Sequence, residues 1–231
     1  MTAAVADGSA TVRAAAVPGA VFDMDGTLLD SMGVWTQVDI DFFARRSIPM
    51  PADYSSTVIA MPFEQIARYT IDRFHLPDTP AALMNEWNEM VYYSYTHTVQ
   101  AKPHAVEYLN ALHEHGVPLA VATSLPPQLR DAALSHVGIH GVFDALCSTD
   151  DVERGKDHAD IYLFAAGRLN VAPRDCYVFE DILTGIRSSS DAGMHAWGVL
   201  DESSEQDWQD IARVAEGAIT DFSQAPELWK Q

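Results

Sequence analysis

The chain has 231 residues, 48% of them hydrophobic and 10% aromatic. That is enough apolar material to bury a core, and it excludes a disordered chain. Lys and Arg total 14 against 33 Asp and Glu, a formal charge of -19. Such a surface repels phosphate backbones and anionic lipid, so nucleic-acid and membrane partners are disfavoured, and an anionic substrate would need a local source of positive charge.

Residues 1–17 are rich in Ala, Ser, Thr and Gly, lack a basic n-region, and carry Asp7 and Arg13 where a signal peptide is apolar. They read as a flexible tail. Ala20-Val21-Phe22 is a short apolar run that stops at Asp23, as a buried strand entering a charged turn does. From 33 to 100 only helical patterns follow: Val34 to Arg45, Pro62 to Phe74 and Pro80 to Val99, punctuated by Pro49, Pro51, Pro77 and Pro80. This predicts an inserted all-helical cap over the edge of a sheet.

Alternation of apolar runs and helical patterns then resumes. Pro103 to His115 reads as a helix, Val117 to Ala122 as a strand ending at Thr123-Ser124, and Pro126 to Val137 as a helix. Val142 to Cys147 is a weaker strand, and Ala159 to Leu169 a helix after Lys156. Cys176 to Phe179 is a strand ending at Glu180-Asp181, Thr184 to Ala192 a helix, and His195 to Leu200 a strand. Alternation of this kind predicts an α/β fold, a parallel sheet with helices on both faces. The core is expected over 18–32 and 101–231, with the cap over 33–100. The two cysteines, Cys147 and Cys176, lie in apolar runs and match neither a disulfide framework nor a zinc spacing. No apolar run is long enough to span a bilayer, so the cytoplasm is the expected location.

In open parallel sheets ligands bind beyond the carboxyl ends of the strands. Four predicted strand ends, or the loops just after them, carry polar residues. They are Asp23-Met24-Asp25-Gly26-Thr27, Thr123-Ser124, Lys156 and Glu180-Asp181. Each has an ordinary structural explanation when taken singly: a metal-binding or strand-ending turn, a helix cap, a solvated lysine, and an N-cap at Asp181. Together Asp23, Asp25, Glu180 and Asp181 would crowd carboxylates that only Lys156 offsets, and like charges this close raise one another's pKa unless a cation intervenes. Magnesium suits a site of hard oxygen ligands that must also hold phosphate and water. Hydroxyls and backbone amides at Thr123-Ser124 suit phosphate oxygens.

These segments, in this order and with Gly185 following the last, resemble the motifs of the haloacid dehalogenase superfamily of phosphotransferases over about residues 18–220. The insertion resembles the all-helical cap of β-phosphoglucomutases and their phosphatase relatives. The resemblance implies a Rossmann-like sheet of strand order 5-4-1-2-3. It implies Asp23 as the nucleophile that forms an aspartyl-phosphate, and Asp25 as the acid that protonates the leaving alcohol and then activates water. Thr123 and Lys156 are implied as ligands of the phosphoryl oxygens. Magnesium would be held by Asp23, the carbonyl of Asp25, and Asp181, with Glu180 a ligand or a support behind one. Dehalogenases of the superfamily lack the second acid of the first motif, so Asp25 argues against that branch.

The chain also departs from the family pattern. Mutases usually carry a His in the first helix where this chain has Trp35, and a Lys-Gly pair with a nearby Arg in the cap where it has Ile59 to Glu64. No cation there would hold a second phosphate. Asp157-His158-Ala159-Asp160 replaces a more usual Pro-x-Pro-Asp. The expectation is a phosphatase acting on a small phosphorylated metabolite such as a sugar phosphate. The alternatives are a β-phosphoglucomutase-like mutase, or a metal-binding or interaction module without turnover that could use an exposed Trp208. Trp35, Met61 and Phe63 are candidates to line the substrate side, and each also fits a bundle core.

Overall fold

The structure, a computed structural model, describes residues 17–58 and 63–230. The predicted tail therefore lies outside the described residues except for Val17. In chain order the elements are β1 (Gly19–Phe22), β2 (Leu29–Asp30), α1 (Val34–Arg45), α2 (Tyr54–Val58), α3 (Phe63–Phe74), α4 (Pro80–His97), β3 (Gln100–Ala101), α5 (Ala105–Glu114) and β4 (Leu119–Thr123). They continue with α6 (Pro127–His136), β5 (Ala145–Ser148), α7 (Asp160–Leu169), β6 (Cys176–Glu180), α8 (Leu183–Asp191), β7 (His195–Val199), α9 (Trp208–Val214) and β8 (Gly217–Ile219). Among the described residues, no helix is long and apolar enough to cross a membrane.

Six strands form one sheet in the order β5-β4-β1-β6-β7-β8, every pairing parallel. Counting only the strands of this sheet, the expected order 5-4-1-2-3 is present, and β8 adds a sixth strand beyond β7. The sequence reading missed β8 because it is three residues long and opens on Gly217. A Cβ at that glycine would stand 2.6 Å from the ring of Trp197, so the position needs a residue with no side chain.

Strand alternation sends large side chains to one face and small ones to the other. Phe22, Leu119, Val121, Tyr177 and Phe179 belong to one buried cluster with Leu109 and Leu112 of α5 and Leu134 of α6. Val21, Ala120, Ala122 and Val178 belong to another with Ile161, Tyr162, Ala165 and Ala166 of α7. Phe22 and Phe179 stand opposite each other across β1 and β6, with ring centroids 4.7 Å apart and planes 6° from parallel. This stacked pair lies directly beneath Asp23 and Glu180.

Helices α1 to α4 occupy the chain between β2 and β3. These short strands pair antiparallel, Leu29 with Ala101 and Asp30 with Gln100, so both ends of the insertion leave from one point. The sequence reading missed α2, a single turn rich in Ser and Thr, which are weak helix formers. Helix α4 starts where the Thr79 hydroxyl accepts the Ala82 N–H at 3.2 Å, with Pro80 following as a good first helical residue. Phe42, Phe43, Tyr54 and Trp87 are buried inside the bundle in edge-on contacts, with Phe42 and Trp87 5.3 Å and Phe43 and Tyr54 4.8 Å apart. Helix α4 also packs against α6, which ties the insertion to the sheet layer.

Just after β3, Lys102 Nζ donates to Asp201 Oδ2 at 2.6 Å, and both side chains are largely buried. Removing one partner of a buried pair leaves the other uncompensated. Lys102→Met is therefore expected to cost about 3–5 kcal/mol of folding stability, read as a lower urea midpoint. A cost under about 1 kcal/mol would show that the pair behaves as a surface pair does.

Candidate active site

The site grows from the way β1 ends. Asp23 N–H donates to Phe179 O at 3.0 Å, continuing the β1–β6 ladder one residue past the strand and fixing the Asp23 backbone. The chain then turns tightly, with Leu28 and Leu29 N–H both donating to Met24 O and Gly26 N–H to Leu29 O. Gly26 has φ +81°, and a Cβ there would lie 2.4 Å from Asp181 Oδ2. Only glycine meets both constraints. Asp23 is 4% exposed, and the Thr27 hydroxyl lies 3.2 Å from its Oδ2 and 3.1 Å from Asp181 Oδ1. One hydroxyl proton serves a single acceptor at a time, so one of these two carboxylates is left short of a donor.

Lys156 Nζ reaches into this cluster, donating to Asp23 Oδ1 and, at 2.5 Å, to Glu180 Oε1. It is not the solvated surface lysine that its sequence position also allowed, since only 9% of it is exposed. Glu180 is saturated. Its Oε1 also accepts the Tyr162 hydroxyl at 2.7 Å, and its Oε2 accepts the Asp181 and Ile182 N–H groups at 3.1 and 3.3 Å. Gly185 makes this possible, because a Cβ there would stand 2.5 Å from the Tyr162 hydroxyl and 2.7 Å from the Glu180 carboxyl carbon. Asp181 is not an N-cap; Ile182 occupies that position of α8. Asp181 Oδ2 is buried without any partner among the described residues.

Asp23, Glu180 and Asp181 each offer a carboxylate oxygen within 4.8 Å of the others, a set that could hold a metal ion. The unpartnered Asp181 oxygen and the shortage of donors around Thr27 fit that use. Burial pushes the Asp23 and Glu180 carboxyls up against the pull of Lys156. Burial, then the Asp23 and Glu180 charges, push Asp181 up to about 9. Burial works against the Lys156 ammonium, yet the two carboxylates beside it hold its pKa above the ordinary lysine range.

The Asp25 side chain is held apart from this cluster. Its Oδ1 accepts two hydrogen bonds of 2.5 Å, from the Ser31 hydroxyl after β2 and from the Tyr95 hydroxyl of α4. Asp25, Ser31, Tyr95, Trp35 and Ser124 line a cavity of about 670 Å³ between the insertion and the sheet layer. At the end of β4, Thr123 Oγ1 accepts the Leu125 N–H at 3.1 Å, which leaves the hydroxyl proton free to donate. Neither Thr123 nor Ser124 caps α6, whose N-cap is Pro126. Ser148 at the end of β5 holds the same loop, its hydroxyl donating to Leu125 O at 3.0 Å.

The profile of one family, haloacid dehalogenase-like hydrolase, matches residues 20–199, which include Asp23, Thr123, Lys156 and Asp181. The chain belongs to this family. It is 29% identical over 214 residues to the probable pseudouridine-5'-phosphatase of Drosophila melanogaster, covering 87% of this chain and 90% of that one. It is 30% identical over 178 residues to the fructose-1-phosphate phosphatase of Escherichia coli K12, covering 77% and 94%. A solved HAD family hydrolase from Deinococcus radiodurans R1, with bound phosphate and sodium, superposes with a TM-score of 0.70 at 26% identity, covering 90% and 94%.

In this haloacid dehalogenase-like hydrolase Asp23, Lys156, Glu180 and Asp181 meet at the strand ends, whereas the Asp25 side chain leaves the expected carboxylate cluster for the cavity that Ser124 also lines, and the cap residues separate. Trp35 is 47% exposed and lines the cavity at Asp25. Phe63 stands behind it, 5.8 Å away, and lines a second cavity inside the insertion. Met61 lies outside the described residues. Trp208 is not an exposed docking residue; it packs beside Ile186, Ala196 and Ile211. Ser31, Tyr95 and Tyr162 were missed. Their hydroxyls are called to the site by tertiary packing, and Tyr95 had no signal to separate it from Tyr92 and Tyr93 on the same helix.

The folded pKa of Asp181, about 9, lies above its ordinary 3.8. The metal-free protein therefore holds a proton there that the unfolded chain releases. That stabilisation is complete below the unfolded value and is lost as pH rises toward 9. Metal-free protein is expected to melt lower at pH 8 than at pH 5. Asp181→Asn should recover part of the loss, about 2–4 °C in Tm per kcal/mol of repulsion removed. A divalent cation should raise the wild-type Tm at pH 8 and leave the variant's nearly unmoved. A variant that responds to pH and cation as wild type does would place the charge strain elsewhere.

Proposed function

We propose that this protein is a magnesium-dependent phosphatase that hydrolyses a small sugar or polyol monophosphate in the cytoplasm through an aspartyl-phosphate on Asp23. Residues 18–32 and 101–231 form its catalytic core and 33–100 its cap. The observation that carries the reading is the division of labour between the two acids of one turn. Asp23 is buried against Lys156, whereas Asp25 faces the cavity with Oδ1 doubly bonded. A nucleophile needs the first environment and a proton carrier the second.

In the first step Asp23 attacks phosphorus and the bond to the leaving alcohol breaks as Asp25 gives that oxygen its proton. In the second, Asp25 takes a proton from water. The water oxygen attacks phosphorus, the aspartyl bond breaks, and phosphate leaves. Because Ser31 and Tyr95 both occupy Oδ1, the proton in transit belongs on Oδ2 of Asp25. Thr123, Ser124 and Lys156 would bind the phosphoryl oxygens, Lys156 giving the charge that an acidic chain otherwise lacks.

Asp23, Asp181 and the main-chain carbonyl of Asp25 would hold magnesium, which when bound neutralises the carboxylates and the phosphoryl group together. Glu180 is close enough to join them, but its four lone-pair directions are already taken. Its part is to hold Lys156. The named relatives act on phosphorylated pseudouridine and fructose, which supports a sugar monophosphate here. A mutase would need a second phosphate grip, and among the described residues no Lys or Arg lines either cavity facing the cap.

Phosphate release from a panel of sugar and polyol phosphates with magnesium is the direct test. Asp23→Asn should abolish it and Asp25→Asn should lower kcat by about 10²–10⁴-fold; turnover that survives Asp23→Asn would remove the covalent mechanism. Tyr95→Phe deletes one of two donors to Asp25 and should lower kcat by about 10–100-fold. Its KM and Tm should stay near wild type, whereas a fall in Tm with kcat intact would make Tyr95 a packing residue only.

A further inference from the structure

The second cavity, about 620 Å³, is lined by residues of α1 to α4, is partly open, and shares Met32, Trp35 and Asn88 with the cavity at Asp25. The two abut at these side chains, so a ligand anchored by its phosphate beside Asp25 can extend past Trp35 into the insertion. The inner cavity has an unusual lining for an acidic protein's substrate pocket. Trp35, Phe63 and Trp87 make a continuous aromatic wall, with successive ring centroids 5.8 and 5.7 Å apart. Among the described residues of this lining stands one charge, Asp39, a helical turn beyond Trp35 on α1. Among the described residues no Lys, Arg or His lines the cavity.

Two polar groups in that wall are poorly satisfied. Among the described residues the Asp39 carboxylate has a single long hydrogen bond, from the Ser55 hydroxyl at 3.4 Å. Trp87 is 2% exposed, and its Nε1–H has no partner among the described residues. A carboxylate flanked by aromatic faces is the arrangement that holds an ammonium, by charge and by cation–π attraction together. A second phosphate, by contrast, would meet Asp39 and no cation.

We propose that the cavity within the cap binds an ammonium group on the substrate's leaving alcohol, so that amino-sugar or amino-cyclitol monophosphates are preferred over their neutral analogues. The phosphate end of this assignment rests on the phosphatase reading above; the inner cavity does not. Partial burial pushes the Asp39 carboxyl up to about 6, against the hydrogen bond from Ser55. Trp35 and Asp39 act here as specificity residues. Asn88 stands at the junction of the two cavities, where its amide can meet a ring hydroxyl.

The test compares kcat/KM with magnesium for two matched pairs, the 6-phosphates of glucosamine and glucose, and of the glucosamine disaccharide and cellobiose. At least one amine is expected to be favoured by about tenfold or more, as one charge-assisted contact provides. Asp39→Asn should bring that ratio close to one, and Asp39→Glu should restore most of it. Ratios below twofold in both wild-type pairs, or a preference that survives Asp39→Asn, would overturn the proposal. p-Nitrophenyl phosphate separates the two readings. If it is turned over and Asp23→Asn abolishes this, the phosphatase reading stands whatever the pairs show. If no ester is turned over, that reading fails, and tryptophan-fluorescence titration with the same pairs judges the cavity alone by the same tenfold criterion.

Discussion

The arrangement at the sheet's edge depends on one buried ammonium. Lys156 is placed between Asp23 and Glu180 with almost no water, and without it β1 and β6 would bring two carboxylates together uncompensated. Such a pair survives in a fold only where geometry and further hydrogen bonds offset desolvation. Glu180 has that support from Tyr162 and from two backbone N–H groups, so it serves as the fixed counter-ion. Asp23 keeps one oxygen without a strong donor, and Asp181 keeps one with none. The charge left over after Lys156 is what a divalent cation would answer.

The packing beneath explains why these groups do not relax apart. Phe22 and Phe179 stack under the two strand ends, and the Asp23–Phe179 backbone bond prolongs the ladder into the site. Gly26 and Gly185 are required by close approach, the first against Asp181 and the second against Tyr162 and Glu180. A site built on strand ends and helix starts holds its geometry better than one built on free loops. The insertion enters through Tyr95 of α4, which touches Asp25 across the cavity. The insertion thereby touches the strand-end turn directly, and a shift of α4 against α6 would be felt at Asp25.

Legibility followed the range of the forces involved. Short apolar runs that end at charged turns are local signals, and β1, β4, β6 and their polar termini were visible in them. Helix Val34–Arg45, with Val34, Val38 and Phe42 one turn apart, was visible with its ends. A single turn of Ser and Thr at α2 and the short strands β2, β3 and β8 carry too little pattern to stand out, and they exist because neighbours supply their partners. Among the cap aromatics, periodicity could not separate Trp35 at the cavity from Trp87 in the bundle. Tyr95 was invisible for the same reason, since its role depends on which side of α4 meets Asp25.

By itself the sequence determined the α/β alternation, the helical insertion and the four polar strand ends, because each is written in contiguous residues with a fixed period. Only the tertiary structure decided how those ends share their charges. Lys156 is 133 residues from Asp23, and nothing local tells whether its ammonium reaches the carboxylate or the solvent. The fold also decided that Glu180 is filled and Asp181 is not, and that Asp39 shares a cavity with the aromatic wall of the cap. Lone pairs are allotted by distance and direction in space, and those are set by packing between elements far apart in the chain.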